Sequence, residues 1–175
     1  MKTRIGIVIV LIAIVALLLW TAPVLAASQL NPYEQQLLSL VNKQRDRNGL
    51  AALRLNTKLV DSARAHSADM GEQKYFSHDS PNGETWSSRI VRYGYTPEGY
   101  SVWKAGENIY YGGGLYSSPV AVMQAWMKSA AHRQVILTKT FRDIGVGAVM
   151  TNDGYGKCQG TVWFFTLDLG RRAGR

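Results

Sequence analysis

The sequence has a single cysteine, Cys158, so no disulfide can close within the chain. It has no Gly-x-Ser-x-Gly elbow and no His-Glu-x-x-His pair, which removes two familiar hydrolase signatures. It has no phosphate-binding loop. The glycine run Gly112-Gly113-Gly114 lacks the Lys-Ser/Thr that such a loop requires and reads as a flexible turn. Dinucleotide fingerprints, internal repeats and low-complexity tracts are missing too. Basic residues set a net charge of +8, yet they are scattered and accompany no recognition motif, which argues against a nucleic-acid partner. Charge is sparse at 18% of residues and apolar content reaches 46%, so the chain is not disordered. Its 175 residues suit one domain of ordinary size and leave no room for two well-cored ones.

What is present begins with an apolar leader. Lys2 and Arg4 precede an almost unbroken apolar run over 5–20, followed by Pro23 and the small-residue stretch Val24-Leu25-Ala26-Ala27. This is the pattern of a secretory signal peptide with cleavage after Ala26. The uncharged stretch 5–27 is also long enough to span a bilayer, so an uncleaved anchor stays open. Pro23 and the alanine pair favour cleavage. Either reading places residues 28–175 outside the cytoplasm, where disulfides are permitted and this chain has none. Its stability must come from a packed core.

The exported part reads as helices first and strands afterwards. Asn31-Pro32-Tyr33-Glu34 starts a helix, with Asn31 as cap and Glu34 three residues on; Asn48-Gly49 ends it. A second helix runs from near Asn56 to Gly71, with Leu59, Ala63, His66 and Met70 on one stripe. A third covers 85–93. Ser118-Pro119 opens a fourth, with Val122, Met123, Trp126 and Ala130 inward, and a short helical turn follows over 132–137. Ile144, Val146, Ala148 and Met150 alternate with Gly145, Gly147 and Val149. Residues 161–167 are β-branched and aromatic, so these two segments predict a hairpin with a long loop. A third strand is expected over 107–111. The order predicts an α+β domain, ending in a frayed basic tail at Arg171, Arg172 and Arg175.

Three histidines and one glutamate are the candidate chemistry. His66, on the apolar stripe, reads as a buried, hydrogen-bonded core residue. His78 lies in a polar, turn-rich segment of the kind that sits at the surface, as a solvated or a functional residue. His132 follows a helix with a small-residue end, where a helix C-terminus would favour its charge. Glu107 stands in a strand, where Glu is disfavoured, and reads as a buried carboxylate bonded to backbone N–H groups. Together His78, Glu107 and His132 form a set that zinc would accept, or an acid–base cluster. Cys158 can pair between chains as a disulfide dimer or remain a thiol.

Four segments carry a resemblance. They are Phe76-Ser77-His78-Asp79-Ser80-Pro81-Asn82-Gly83, then Gly106-Glu107-Asn108-Ile109, then Ala125-Trp126-Met127-Lys128-Ser129-Ala130-Ala131-His132-Arg133, then Phe141-Arg142-Asp143-Ile144-Gly145-Val146-Gly147. In order and spacing they resemble the bacterial branch of the CAP superfamily, which comprises cysteine-rich secretory, antigen 5 and pathogenesis-related proteins and is also known by its SCP domain. The resemblance covers roughly residues 31–168. It implies an α-β-α sandwich, with a small antiparallel sheet between helical layers. It also implies a cavity lined by two histidines and two acids that in some relatives binds a divalent metal, often zinc. His78 and Glu107 match two of these. Ser129 stands where many eukaryotic members have Glu, and the Gly-His-Tyr segment of those members has no clear counterpart. His132 would face the same cavity, and Glu84 would supply a second carboxylate. The chain thus divides into a signal peptide at 1–26, the domain at 27–170 and a basic tail at 171–175.

Two functions are weighed. One is a non-catalytic extracellular binding module for a lipid, sterol-like, glycan or cell-surface ligand. Its support is the aromatic group Tyr93, Tyr95, Tyr100, Trp103, Tyr110, Tyr111 and Tyr116 around an exposed loop at 94–104. The other is a hydrolase or peptidase in which zinc on His78 and His132 activates water with Glu107 or Glu84 as base. No motif in the chain demands the second, and binding is the preferred reading.

Overall fold

The computed structural model describes residues 29–174. The leader expected at 1–26 lies outside them.

The first helix forms where its caps demand. Asn31 accepts from the Glu34 N–H and Glu34 reaches back to the Asn31 N–H, a capping box that opens α1 (Pro32–Arg47). Helix α2 (Thr57–Gln73) does not stop at Gly71. It continues to Gln73 and ends on Lys74 in the left-handed region at φ 56°. Gly71 serves packing instead: a Cβ there would touch the Phe164 ring at 3.4 Å. Helix α3 (Trp86–Arg92) is capped by Thr85, and α4 (Pro119–Lys128) by Ser118. Helix α5 (Ala130–Ile136) follows after one residue, so Ala130 begins it and does not belong to the inward face of α4.

Four strands pair in the order β1-β3-β4-β2. Strand β1 (Arg54–Leu55) is a two-residue piece parallel to β3 (Asp143–Thr151) and too short to leave a sequence signal. Strand β2 (Val102–Gly113) and β4 (Val162–Ala173) are both longer than expected, because each gives the other a partner along its whole length. The basic tail is therefore not frayed at its start. Arg171 and Arg172 pair with Lys104 and Trp103, and the Arg172 guanidinium lies 4.3 Å from the Tyr95 ring centroid.

The two-residue period of the strands sorts the layers. On one face Ile144, Val146 and Ala148 of β3 and Phe165, Leu167 and Leu169 of β4 pack with Leu37 and Val41 of α1, Val122, Met123 and Trp126 of α4, and Ile136 of α5. The opposite face meets α2. There Gly145 and Gly147 let the helix backbone lie on the sheet: a Cβ would stand 2.0 Å from the Leu59 carbonyl carbon and 2.3 Å from that of Ala63. Helices thus cover both faces, the expected α-β-α sandwich. The aromatic group splits up in it. Tyr95 is buried, Tyr111 packs near Phe164, Tyr116 is exposed, and the segment expected as an exposed loop becomes β2 from Val102 onward.

Candidate functional site

The site forms where the loop 74–85 passes the middle of β2. His66 on α2 is buried, as its stripe predicts, and donates from Nε2 to the Ser77 carbonyl at 3.0 Å. Burial pushes its pKa down to about 4, so it stays neutral and fastens the loop from below. Asp79 accepts from the Trp86 N–H at 2.9 Å and ties the same loop to α3.

His78 is presented between these two anchors, with its side chain half exposed. Its Nδ1 lies 2.7 Å from Glu107 Oε1. A carboxylate only accepts, so Nδ1 carries the proton and Nε2 is left without a partner among the described residues. Glu107 is buried, yet its partners are side chains and not the backbone N–H groups expected. Its second oxygen accepts from Arg89 at 2.6 Å, and the same Arg89 nitrogen donates to the His78 carbonyl at 3.1 Å. Arg89 is itself buried. The ion pair therefore fixes both the ring and the backbone of His78.

Behind it stands a second carboxylate. Asp168 on β4 is directly opposite Glu107 in the β2–β4 register and fully buried. Among the described residues its oxygens meet no hydrogen bond of good geometry, nor do Arg89 Nε and Nη1 or Ser62 Oγ, although the Ser62 hydroxyl and the Glu107 carboxyl are its polar neighbours. Two carboxylates whose Cβ atoms stand about 5 Å apart across a strand ladder repel when both are ionised. Burial first, and Glu107 second, raise Asp168 well above the usual carboxylate range. The carboxylate that meets the Arg89 guanidinium is that of Glu107.

His132 enters from the far side. It sits in the first turn of α5 and not at a helix C-terminus, with Nδ1 2.8 Å from Ser129 Oγ. Ser129 caps no backbone N–H of α5, so its hydroxyl is given to the imidazole. Asn108 Nδ2 donates to the His132 carbonyl at 3.0 Å. Burial, and then His78, lower the His132 pKa. His78, Ser129 and His132 line one cleft of about 500 Å³, walled by Phe76, Ile109, Tyr110 and Trp126.

Two expected residues do not join them as anticipated. Glu84 is paired with Arg92 at 2.5 and 2.8 Å, which lowers its pKa, and it borders a separate depression with Asp69 and Ser80. Glu107 lies behind His78 with both oxygens engaged. The metal set His78, His132 and Glu107 is therefore not formed. Among the described residues no group of three or more His, Cys, Asp or Glu side chains could hold a metal ion, so the three protein ligands of an ordinary zinc site are not gathered here. Sequence reasoning missed Arg89 and Asp168. The one available signal for Asp168 was a carboxylate in phase with Phe164 and Thr166 on a strand of apolar character.

With this geometry in view, the model of the cysteine-rich secretory protein (CAP) family matches residues 38–169. The chain belongs to the CAP family. This CAP protein is 36% identical over 138 residues to the uncharacterized protein YkwD of Bacillus subtilis, covering 79% of this chain and 48% of that one. It is 35% identical over 115 residues to the uncharacterized membrane protein YlbC of the same organism, covering 65% and 31%. The chain thus spans about half or less of the curated relatives it matches. Among solved structures it is similar to an extracellular protein containing an SCP domain from Bacillus anthracis, with a TM-score of 0.63 and 31% identity, covering 82% of this chain and 45% of that one. An outer surface protein of Borrelia burgdorferi shares the fold, with a TM-score of 0.64 and 21% identity, over 79% and 91%. No helix of the CAP domain's described residues is long and apolar enough to cross a membrane.

Proposed function

We propose that this chain is an extracytoplasmic binding module whose ligand enters the cleft between His78 and His132. The carrying observation is the pair of imidazoles. Each has Nδ1 anchored, one by Glu107 and one by Ser129, and each keeps Nε2 without a partner among the described residues. Two pre-oriented polar atoms in a cleft walled by Phe76, Ile109, Tyr110, Ala125 and Trp126, and lined also by Ser77, Asp79 and Ser129, suit a small ligand with a ring or apolar face and hydrogen-bonding groups. A cell-envelope glycan has that chemistry. The apolar leader and the extracellular description of the Bacillus anthracis relative support the location.

The test is calorimetric titration of the protein with soluble peptidoglycan fragments, beside Phe76→Ala and His132→Ala. Saturable binding weakened about tenfold or more by each substitution is expected, because each removes a wall or a fixed polar atom. Binding that ignores both substitutions would place the ligand elsewhere. A hydrolytic reading draws on one observation, the 2.7 Å His78–Glu107 contact, which is the geometry of an oriented general base. Fragments cleaved by the protein and left intact by His78→Ala would favour it.

A further inference from the structure

Among the described residues the most exposed large apolar side chains lie away from the cleft interior. Leu115 is 92% exposed and Tyr116 68%, on a 3-10 turn spanning Gly114–Tyr116 at the end of β2. The turn is built, not loose. Ser117 Oγ donates to the Gly114 carbonyl at 2.8 Å, and Tyr110 Oη donates to the Tyr116 carbonyl at 3.2 Å. A Cβ at Gly112 would meet that Tyr116 carbonyl oxygen at 2.3 Å, so the turn folds tightly back onto β2. A fixed backbone therefore holds two adjacent large apolar side chains in solvent.

Charge in the chain segment that carries the turn has one sign. Residues 108–142, which include the turn, α4 and α5, contain Lys128, Arg133, Lys139 and Arg142 and no acidic residue. Val120, 42% exposed, continues the apolar surface from the turn onto α4. It lines a groove between α1 and α4 that Lys43, Arg47 and Lys128 also border. These three cations are exposed and make no ion pair among the described residues. Lys128 is eight residues beyond Val120 on the same helix, about 12 Å at 1.5 Å per residue. That distance is comparable to the range over which an anionic surface attracts basic groups.

We propose that this face docks on an anionic lipid bilayer, with Leu115 and Tyr116 entering the headgroup layer and Lys43, Arg47 and Lys128 meeting anionic headgroups. Leu and Tyr side by side match the membrane–water interface, where an aromatic ring with a polar tip is favoured beside an aliphatic group. A soluble polyanion would use the lysines and arginines and give the two apolar side chains no partner. This surface is distinct from the His78–His132 cleft and stands whether or not that cleft binds a ligand.

The test uses the full chain with Leu115→Cys in a Cys158→Ser background, carrying an environment-sensitive dye at position 115, on phosphatidylcholine vesicles with and without phosphatidylglycerol. The dye reports on position 115 whatever the leader does. A blue shift and quenching by lipid-borne quenchers are expected only with phosphatidylglycerol, and both should be lost in Lys43→Gln/Arg47→Gln/Lys128→Gln. The same shift on both vesicle types, a shift on neither, or a shift indifferent to the triple substitution overturns the proposal. Leu115→Ser/Tyr116→Ser changes exposed side chains only, so its melting temperature serves as the folding control. If that variant keeps full binding to anionic vesicles and to soluble polyphosphate, the face reads negative charge alone and the bilayer assignment fails.

Discussion

Arg89→Met is the sharpest perturbation of the site. Methionine keeps the apolar length of the arginine stem and removes the arginine bonded to Glu107, which among the described residues also meets the His78 ring. Both members of the ion pair are nearly inaccessible, at 2% and 1% side-chain exposure, so water cannot replace the lost partner. Breaking a buried pair from one side costs about 3–5 kcal/mol, because the remaining charge stays buried. At about 2–4 °C per kcal/mol for a domain of this size, the melting temperature should fall by roughly 6–20 °C. Thermal unfolding at neutral pH measures this directly. Two companions isolate the cause. Arg89→Met with Glu107→Gln removes both charges, and its loss should be clearly smaller than the sum of the single losses. Asp168→Asn should be tolerated, since it keeps the shape of a carboxyl whose pKa burial raises well above the usual range. The sign follows from linkage: a raised folded pKa gives stability that is full below the unfolded value of 3.8 and fades as pH rises through the folded one. The Asn variant lacks that fading and should gain on the wild type with rising pH. An Arg89→Met loss below about 1 kcal/mol, or strictly additive single losses, would refute the ion-pair reasoning.

Two further outcomes follow from burial and close packing. His66 falls from 6.5 in the unfolded chain to about 4 when folded, so its contribution is present above pH 6.5 and is lost as pH falls toward 4. Urea unfolding should show about 3 kcal/mol less stability at pH 4 than at pH 6.5 from this group, and a flat profile across that window would contradict its burial as a neutral ring. Gly145→Ala places a methyl 2.0 Å from α2 backbone, which cannot step aside as a side chain could. A loss of about 3 kcal/mol or more is expected, and a variant melting like the wild type would show that α2 does not press on β3 as closely as described.

Helix starts were the most legible part of the chain. Asn31, Thr85 and Ser118 each act through bonds to N–H groups within three residues, so the fold adds nothing to what sets them. The end of α2 was misread for the matching reason. Gly71 looks like a local stop, but it is glycine because Phe164, far along the chain, lies against it. The lengths of β2 and β4 depended in the same way on partners that local propensity does not name.

The sequence by itself determined the composition class, the apolar leader, the helix caps, the alternation of β3 and the identity of His78, Glu107 and His132 as the groups to watch. Only the tertiary structure decided what those groups are to one another. Sheet register set Asp168 opposite Glu107, and the packing of α3 brought Arg89 between Glu107 and His78. These two placements turn a presumed metal ligand into a buried ion-pair partner. The physical reason is range: caps and periodicity act within a few residues, whereas desolvation and Coulomb energy depend on which distant segments the core brings together.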